Sequence, residues 1–188
     1  MLPVFLMFAL FAAAQKHSYS IELFGKKIGQ TIVERIDKGN GEVNYKLNSS
    51  SEANILFTKK TSALTFDILY KDGKYVSSYC KNMKDGVVEI VTIAWNGTKY
   101  MIKKGEEAFN LNQQLDFSAI QLYFSEPVNH SKIFSERIGE FCSFKKTGEG
   151  EYVCKLENGV TNIYRYKNGK LYELEMSKGA SVFMKLIQ

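Results

Sequence analysis

From Tyr19 onward, apolar side chains recur at every second position in short runs. Tyr19, Ile21 and Leu23 alternate with Ser18, Ser20 and Glu22, and Tyr172, Leu174 and Met176 alternate with Glu173 and Glu175. A period of two sends successive side chains to opposite faces, so each run predicts a strand with one dry face and one wet face. The stretch Val87 to Trp95 is apolar at both parities, with Val87, Val91, Ile93 and Trp95 on one side and Val88, Ile90 and Ala94 on the other. Such a strand is expected to be covered twice or to line a cavity.

The runs are punctuated by reversal signals. Lys38-Gly39-Asn40-Gly41, Asp72-Gly73, Asp85-Gly86, Asn96-Gly97, Asn158-Gly159, Asn168-Gly169 and Lys178-Gly179 supply the positive φ angles that tight hairpins require. Strands are therefore predicted near 17–24, 28–37, 42–52, 60–71, 74–83, 87–95, 98–104, 138–146, 151–157, 160–167, 170–177 and 181–187, with neighbours pairing antiparallel. One segment, 106–137, breaks the pattern. Asp116 can cap a short helix, Phe117 to Phe124, which Pro127 stops. At about 100° per residue, Phe117, Ile120 and Phe124 share one face while Ala119, Leu122 and Tyr123 lie opposite, so the helix is apolar nearly all round and should be buried. The predicted fold class is all-β with one short helix: an antiparallel β-meander of about 10–12 strands, curled into an open or unclosed β-barrel with the helix against its concave face.

The first residues belong to another pattern. Met1 to Ala14 carry no charged side chain and end in Ala12-Ala13-Ala14, the apolar core and small-residue cleavage site of a signal peptide, too short to span a bilayer. The expected organisation is a signal peptide at 1–14 and a single β-barrel-like domain at 15–188, periplasmic or secreted and not membrane-spanning. The leader ends without a cysteine, because the three cysteines are Cys80, Cys142 and Cys154, so a lipobox anchor has no acceptor. If the turn at 146–150 centres on Gly148, Cys142 and Cys154 face each other across a hairpin within disulfide reach; the alternative is a pair of small buried thiols. Cys80 fits the latter role.

Charge and chemistry narrow the functional classes. The net charge of +5 rests on lysines gathered at turns, with arginine only at 35, 137 and 165, a pattern that keeps strand edges soluble and does not resemble an Arg-rich nucleic-acid stripe. No nucleic acid partner is expected. The two histidines are His17, next to the cleavage site and expected in a frayed end, and His130, among Asn129, Ser131, Ser135 and Glu136. That loop offers a hydroxyl, a base and a carboxylate, but nucleophilic catalysis needs them oriented around an oxyanion site, which proximity in sequence does not provide. No metal-ligand spacing or phosphate loop occurs, so no cofactor is expected and no residue is assigned a catalytic role.

What remains is the aromatic load, 11 Tyr and 13 Phe. Rings with polar tips suit either a large β core or the lining of a site for an apolar ligand. The residues best placed for a lining are Trp95, Tyr100, Phe117, Ile120, Tyr123 and Phe124.

Three segments carry a resemblance: Tyr19-Ser-Ile-Glu-Leu-Phe-Gly-Lys-Lys-Ile-Gly29, Tyr123-Phe-Ser-Glu-Pro-Val128 and Asn162-Ile-Tyr-Arg-Tyr-Lys-Asn-Gly-Lys-Leu171. Their order resembles a family of exported bacterial β-rich proteins of unknown function, mostly from Bacteroidetes-type organisms. More distantly, the opening strand, Gly-x-x-x-Gly and strand is similar to periplasmic unclosed β-barrels such as lipoprotein carriers, in which a curved sheet cradles acyl chains. The resemblance implies the fold and carries no binding residues over; the strands apolar on both faces and the helix apolar all round lead to the expectation of a non-enzymatic envelope protein whose concave, aromatic-lined surface binds a hydrophobic ligand or a lipidated partner. The reading from another class is a structural or protein-interaction module of the envelope with a filled core, contacting another envelope protein; a hydrolase using the 129–137 loop is the third.

Overall fold

The computed structural model describes residues 14–156 and 159–187. The predicted leader lies outside the described residues apart from Ala14, which opens the first strand. The fourteen strands are β1 (Ala14–Leu23), β2 (Lys26–Gly39), β3 (Glu42–Ile55), β4 (Thr58–Lys71), β5 (Lys74–Lys84), β6 (Val87–Trp95) and β7 (Tyr100–Lys104), followed by β8 (Glu107–Leu111), β9 (Lys132–Ser135), β10 (Glu140–Gly148), β11 (Glu151–Lys155), β12 (Thr161–Lys167), β13 (Lys170–Lys178) and β14 (Ala180–Leu186). All belong to one sheet in the order β8-β7-β6-β5-β4-β3-β2-β1-β14-β13-β12-β11-β10-β9, antiparallel throughout.

The twelve predicted strands are all present, and β8 and β9 are added within the segment expected to be irregular. Alternation hides β9 because Ile133 and Phe134 are adjacent and both buried: Ile133 pairs with Cys142, while Phe134 pairs with Phe141 and bridges Ser118. A four-residue strand covered on both faces has no period of two to read.

The topology has one consequence for function. The first and last strands pair, from Tyr19 with Leu186 to Leu23 with Val182, so both free edges come from the middle of the chain, β8 and β9. The connection between those edges, residues 112–131, crosses the concave side. The edges approach each other at Gly139, in the β9–β10 turn. A Cβ there would lie 2.9 Å from Ile102 and 3.2 Å from Phe109, on β7 and β8, and its φ of 76° is one that glycine adopts without strain.

Three local expectations are corrected. The predicted helix Phe117–Phe124 is a five-residue 3-10 helix, Ala119–Tyr123, and its N-cap is Ser118 rather than Asp116. Phe117 stays outside it. Strand β6 is not covered twice: Val91 and Ile93 are in the core, but Val88 and Ile90 face outward and are exposed. Cys142 and Cys154 are not directly opposed, because the turn falls at Glu149 and Gly150 rather than being centred on Gly148, and the register beyond it pairs Cys154 with Phe144. None of the three cysteines is in a disulfide. Instead a thiol hydrogen bond with Cys142, together with burial, raises the Cys154 pKa. Cys80 is a buried thiol whose pKa burial pushes up to about 12.

Candidate functional site: the tyrosine cradle and its plug

Alternation along seven strands, β1, β3, β4, β5, β7, β11 and β12, aims tyrosines into the concavity. Tyr45, Tyr70, Tyr75 and Tyr100 form an edge-to-face chain with ring centroids 5.5, 5.2 and 5.9 Å apart, and Trp95 ends it 4.8 Å from Tyr100. Across the concavity, Phe144, Tyr152, Tyr164 and Tyr166 form a second cluster. Edge-to-face pairs place a ring's positive edge on its neighbour's negative face, which adds to the burial of ring area.

The segment 112–131 lies between these clusters as a plug, and the polar tips of the aromatic residues hold both its backbone and its polar side chains. Tyr166 Oη donates to Leu122 O at 2.9 Å, and His17 Nδ1 donates to Tyr123 O at 2.9 Å. Leu115 N donates to Tyr100 Oη at 3.4 Å, Tyr75 N donates to Leu115 O at 3.0 Å, and Tyr152 Oη donates to Glu126 at 2.8 Å. Tyr70 Oη lies 2.8 Å from both Ser118 Oγ and Gln121 Oε1. A 3-10 helix of five residues leaves most of its own backbone groups without internal partners, and the sheet supplies them. His17, expected in a frayed end, is instead buried in β1 and stacks on Phe124 with centroids 5.2 Å apart, because its bond to the plug ties the start of the strand down.

At the base of the plug sits Glu136, fully buried. Its Oε1 accepts a 2.5 Å bond from Ser118 Oγ and a 3.3 Å bond from Ile120 N, so it caps the 3-10 helix from across the chain. Its Oε2 has no partner among the described residues, and the same holds for the nearby Tyr75 Oη and Ser78 Oγ. Burial pushes the Glu136 pKa up to about 7, offset in part by these hydrogen bonds. Burial also raises the pKa values of Tyr70, Tyr75 and Tyr123, and the Glu136 carboxyl adds to each. The tyrosines therefore stay protonated, as neutral donors, throughout the range in which Glu136 titrates.

The six residues singled out as a lining are brought together, but as parts of this packing. Tyr100 and Ile120 are buried, and Tyr123 and Phe124 are half-buried against Tyr19 and Tyr45. Phe117 stacks on His130 with centroids 4.2 Å apart. Trp95, at the end of β6, is 37% exposed and is the member most open to solvent. Two surface depressions, of about 340 and 350 Å³, involve none of the six. The polar loop at 129–137 does not assemble a nucleophile: the His130 ring rests on Phe117 while Glu136 turns inward to Ser118, and among the described residues no hydrogen bond joins the ring to Ser131, Ser135 or Glu136. Among the described residues no three His, Cys, Asp or Glu side chains converge as a metal site, and no helix is long and apolar enough to cross a membrane.

Of the residues that hold the plug from below, Ser118 and Gln121 are not among those singled out from the sequence, and Glu136 is considered there only as the carboxylate of the 129–137 loop. One signal was present: Ser118-x-x-Gln121 has the spacing of a capping box, and Gln121 Oε1 does accept from Ser118 N at 2.9 Å.

The model of a family described as a domain of unknown function, DUF6134, matches residues 19–187. The chain belongs to that family. The DUF6134 match begins within β1 and runs past the end of β14, so it takes in the whole cradle and its plug. Among solved structures, the chain is similar to a crystal structure titled as a beta-barrel-like protein of domain of unknown function DUF1849 from Brucella abortus. The TM-score is 0.60 over 96% of this chain and 98% of that one, at 10% sequence identity. At that identity the likeness speaks for the fold of this DUF6134 member and not for its activity. No curated protein matches the sequence.

Proposed function

We propose that this protein is an exported, non-enzymatic module of the cell envelope that works through its outer surface, with the barrel interior filled by its own plug. The observation that carries this reading is the use of the tyrosine hydroxyls. Tyr70, Tyr100, Tyr152 and Tyr166, which would orient a ligand in the concavity, are engaged by residues 115–126 of the same chain. A ligand entering there would have to break those bonds and leave buried donors unpaired, a cost of about 1–3 kcal/mol for each. Export is supported by the apolar, uncharged stretch Met1 to Ala14. Native mass spectrometry of protein purified from its host tests the filled interior. The expected result is the bare chain, with no uptake of a fatty-acyl probe; a stoichiometric co-purifying lipid would overturn it.

A second reading, in which a hydrophobic ligand or a lipidated partner displaces the plug, draws on a specific feature. Glu136 Oε2, Tyr75 Oη and Ser78 Oγ are buried without hydrogen-bond partners among the described residues, and a ligand with a polar head would satisfy them when the plug withdraws. Under this reading, delipidated protein takes up an acyl probe more readily once Tyr70 and Tyr166 are changed to Phe.

A further inference from the structure

In a meander, successive hairpin turns alternate between the two ends of the sheet. The turns β2–β3, β4–β5 and β12–β13 lie at one end, and there the non-glycine residues in the left-handed region are Asn40, Asp72 and Asn168, at φ of 53°, 51° and 52°. These are the side chains that tolerate that conformation, and they are polar.

The other end is built differently. In the β1–β2 turn the left-handed residue is Phe24, at φ 51°, and in the β3–β4 turn it is Leu56 followed by Phe57, at φ 46° and 66°. Neither Leu nor Phe is favoured there, and none of the three gains anything from packing: Phe24 is 78%, Leu56 88% and Phe57 108% exposed. The tips belong to adjoining hairpins at the same end of the sheet, whose shared β2–β3 ladder runs up to Gly29 with Ser51. The next hairpin at this end, β5–β6, contributes Val87, 72% exposed, and Val88. Three successive hairpins thus project apolar side chains into solvent from one end; in the first two they occupy the positions where the opposite end, and Asp85 at φ 50° in the β5–β6 turn itself, show that the fold accepts Asn or Asp.

Lysines stand directly behind the tips: Lys26 and Lys27 beside Phe24, Lys59 and Lys60 beside Phe57, Lys84 before Val87, and Lys178 in the β13–β14 turn at the same end. Lys59 and Lys60 pair with Glu52 and Asp85, whereas Lys26, Lys27, Lys84 and Lys178 have no ion pair among the described residues. Apolar tips backed by unpaired lysines are the arrangement that a bilayer surface rewards, with side chains at the acyl boundary and ammonium groups at phosphate level.

We propose that this end of the barrel docks on an anionic lipid surface, inserting Phe24, Leu56 and Phe57 below the headgroups while Lys26, Lys27 and the neighbouring lysines contact lipid phosphates. The inference goes beyond the filled-barrel reading and holds whether or not the plug can be displaced. It names a partner for the outer surface, and its test uses no interior ligand.

The test is flotation with vesicles of phosphatidylcholine alone or mixed with phosphatidylglycerol, using the protein as its host produces it. Binding is expected with the anionic vesicles, weakening with added salt. The double variant L56N/F57G, which installs the residues a tight turn prefers, should bind less by about tenfold or more while its melting temperature stays level or rises, and F24N should act in the same direction. K26Q/K27Q should lose the preference for anionic vesicles. Absence of wild-type binding, or binding that L56N/F57G leaves unchanged, would overturn the proposal. So would a wild-type dimer that L56N/F57G abolishes without any vesicle binding, because the tips would then be covered by a second copy of the chain.

Discussion

Ser118 and Glu136, eighteen residues apart, meet in the interior through a 2.5 Å hydrogen bond from hydroxyl to carboxyl. The bond ties the cap of the plug to the turn that follows β9, and it does so with a carboxyl that no solvent reaches. Because burial raises the Glu136 pKa to about 7, the folded protein holds this proton more tightly than the unfolded chain, whose ordinary value is 4.5. For an acid raised in this way, the stabilisation is fully present below the unfolded value and is lost as pH rises through the folded one. The groups facing Glu136, namely Tyr70, Tyr75, Tyr123 and Cys80, all have raised pKa values and stay neutral across that window. Stability should therefore fall between about pH 5 and pH 8 by on the order of 3 kcal/mol. Denaturant titrations of wild type and E136Q across that range check this: the variant should show a much flatter dependence, and parallel curves would mean that Glu136 does not titrate there.

Tyr70 reaches the plug at two points, Ser118 and Gln121, through one hydroxyl. Replacing it with Phe keeps the ring contacts to Tyr45 and Tyr75 and removes only that oxygen. A loss of about 1–2 kcal/mol is expected, with new protease sensitivity confined to residues 112–131. Limited proteolysis followed by mass mapping reads this directly; cleavage spread over the strands would assign Tyr70 a global role instead.

What the sequence made legible and what it hid divide along the range of the interactions. Strands such as β1 and β13 are visible because Tyr19, Ile21 and Leu23, or Leu174 and Met176, are set two apart by the pleat itself. Turns with Asn-Gly or Asp-Gly are visible because their backbone needs those residues. The β3–β4 turn carries no such signal, since Leu56 and Phe57 occupy its positive-φ positions, and in the sequence it shows only as the gap between the strands predicted at 42–52 and 60–71. The plug could be seen to be apolar, but not how it is held. Its partners stand far away in sequence, Tyr166 forty-four residues from Leu122 and His17 over a hundred from Tyr123. Tyrosine on a strand looks the same whether its hydroxyl meets a ligand, water or the chain's own backbone. Only the register of β1 with β14 and of β4 with β5 decides which.

Gly139 marks the place where the two edges of the sheet come together. Alanine there would meet Ile102 Cγ2 at 2.9 Å and the Phe109 ring at 3.2 Å, on a backbone with φ of 76° that alanine adopts only with strain. The side chains can yield somewhat and the backbone conformation cannot, so G139A should destabilise by about 1–3 kcal/mol. Gly73, also at positive φ but with nothing within 4 Å, supplies the control. G73A should cost the backbone component alone, and equal melting temperatures for the two variants would show that the edge contact adds nothing.

On the outer face, Arg165 of β12 sits between Glu151 of β11 and Glu173 and Glu175 of β13, at 3.2, 2.6 and 3.1 Å. One guanidinium thus bonds three carboxylates on both neighbouring strands, with Ser181 adding a 2.9 Å bond to Glu175. Isolated surface pairs contribute little, but here the arginine also separates like charges that the sheet register forces together. R165M should cost about 1–3 kcal/mol at neutral pH, and R165K should recover part of it, since an ammonium keeps the charge without the fork. The sign with pH follows from the carboxylates. The Glu151 pKa is held below its ordinary value by its bonds to Thr147 and Arg165, so its contribution is present above the unfolded value and disappears as pH falls through the carboxylate range. The gap between wild type and R165M should therefore be widest near neutrality and narrow in acid, where the glutamates no longer repel. Chemical denaturation of both proteins at neutral and acidic pH measures it, and a gap independent of pH would show that Arg165 acts through packing of its stem rather than through its charge.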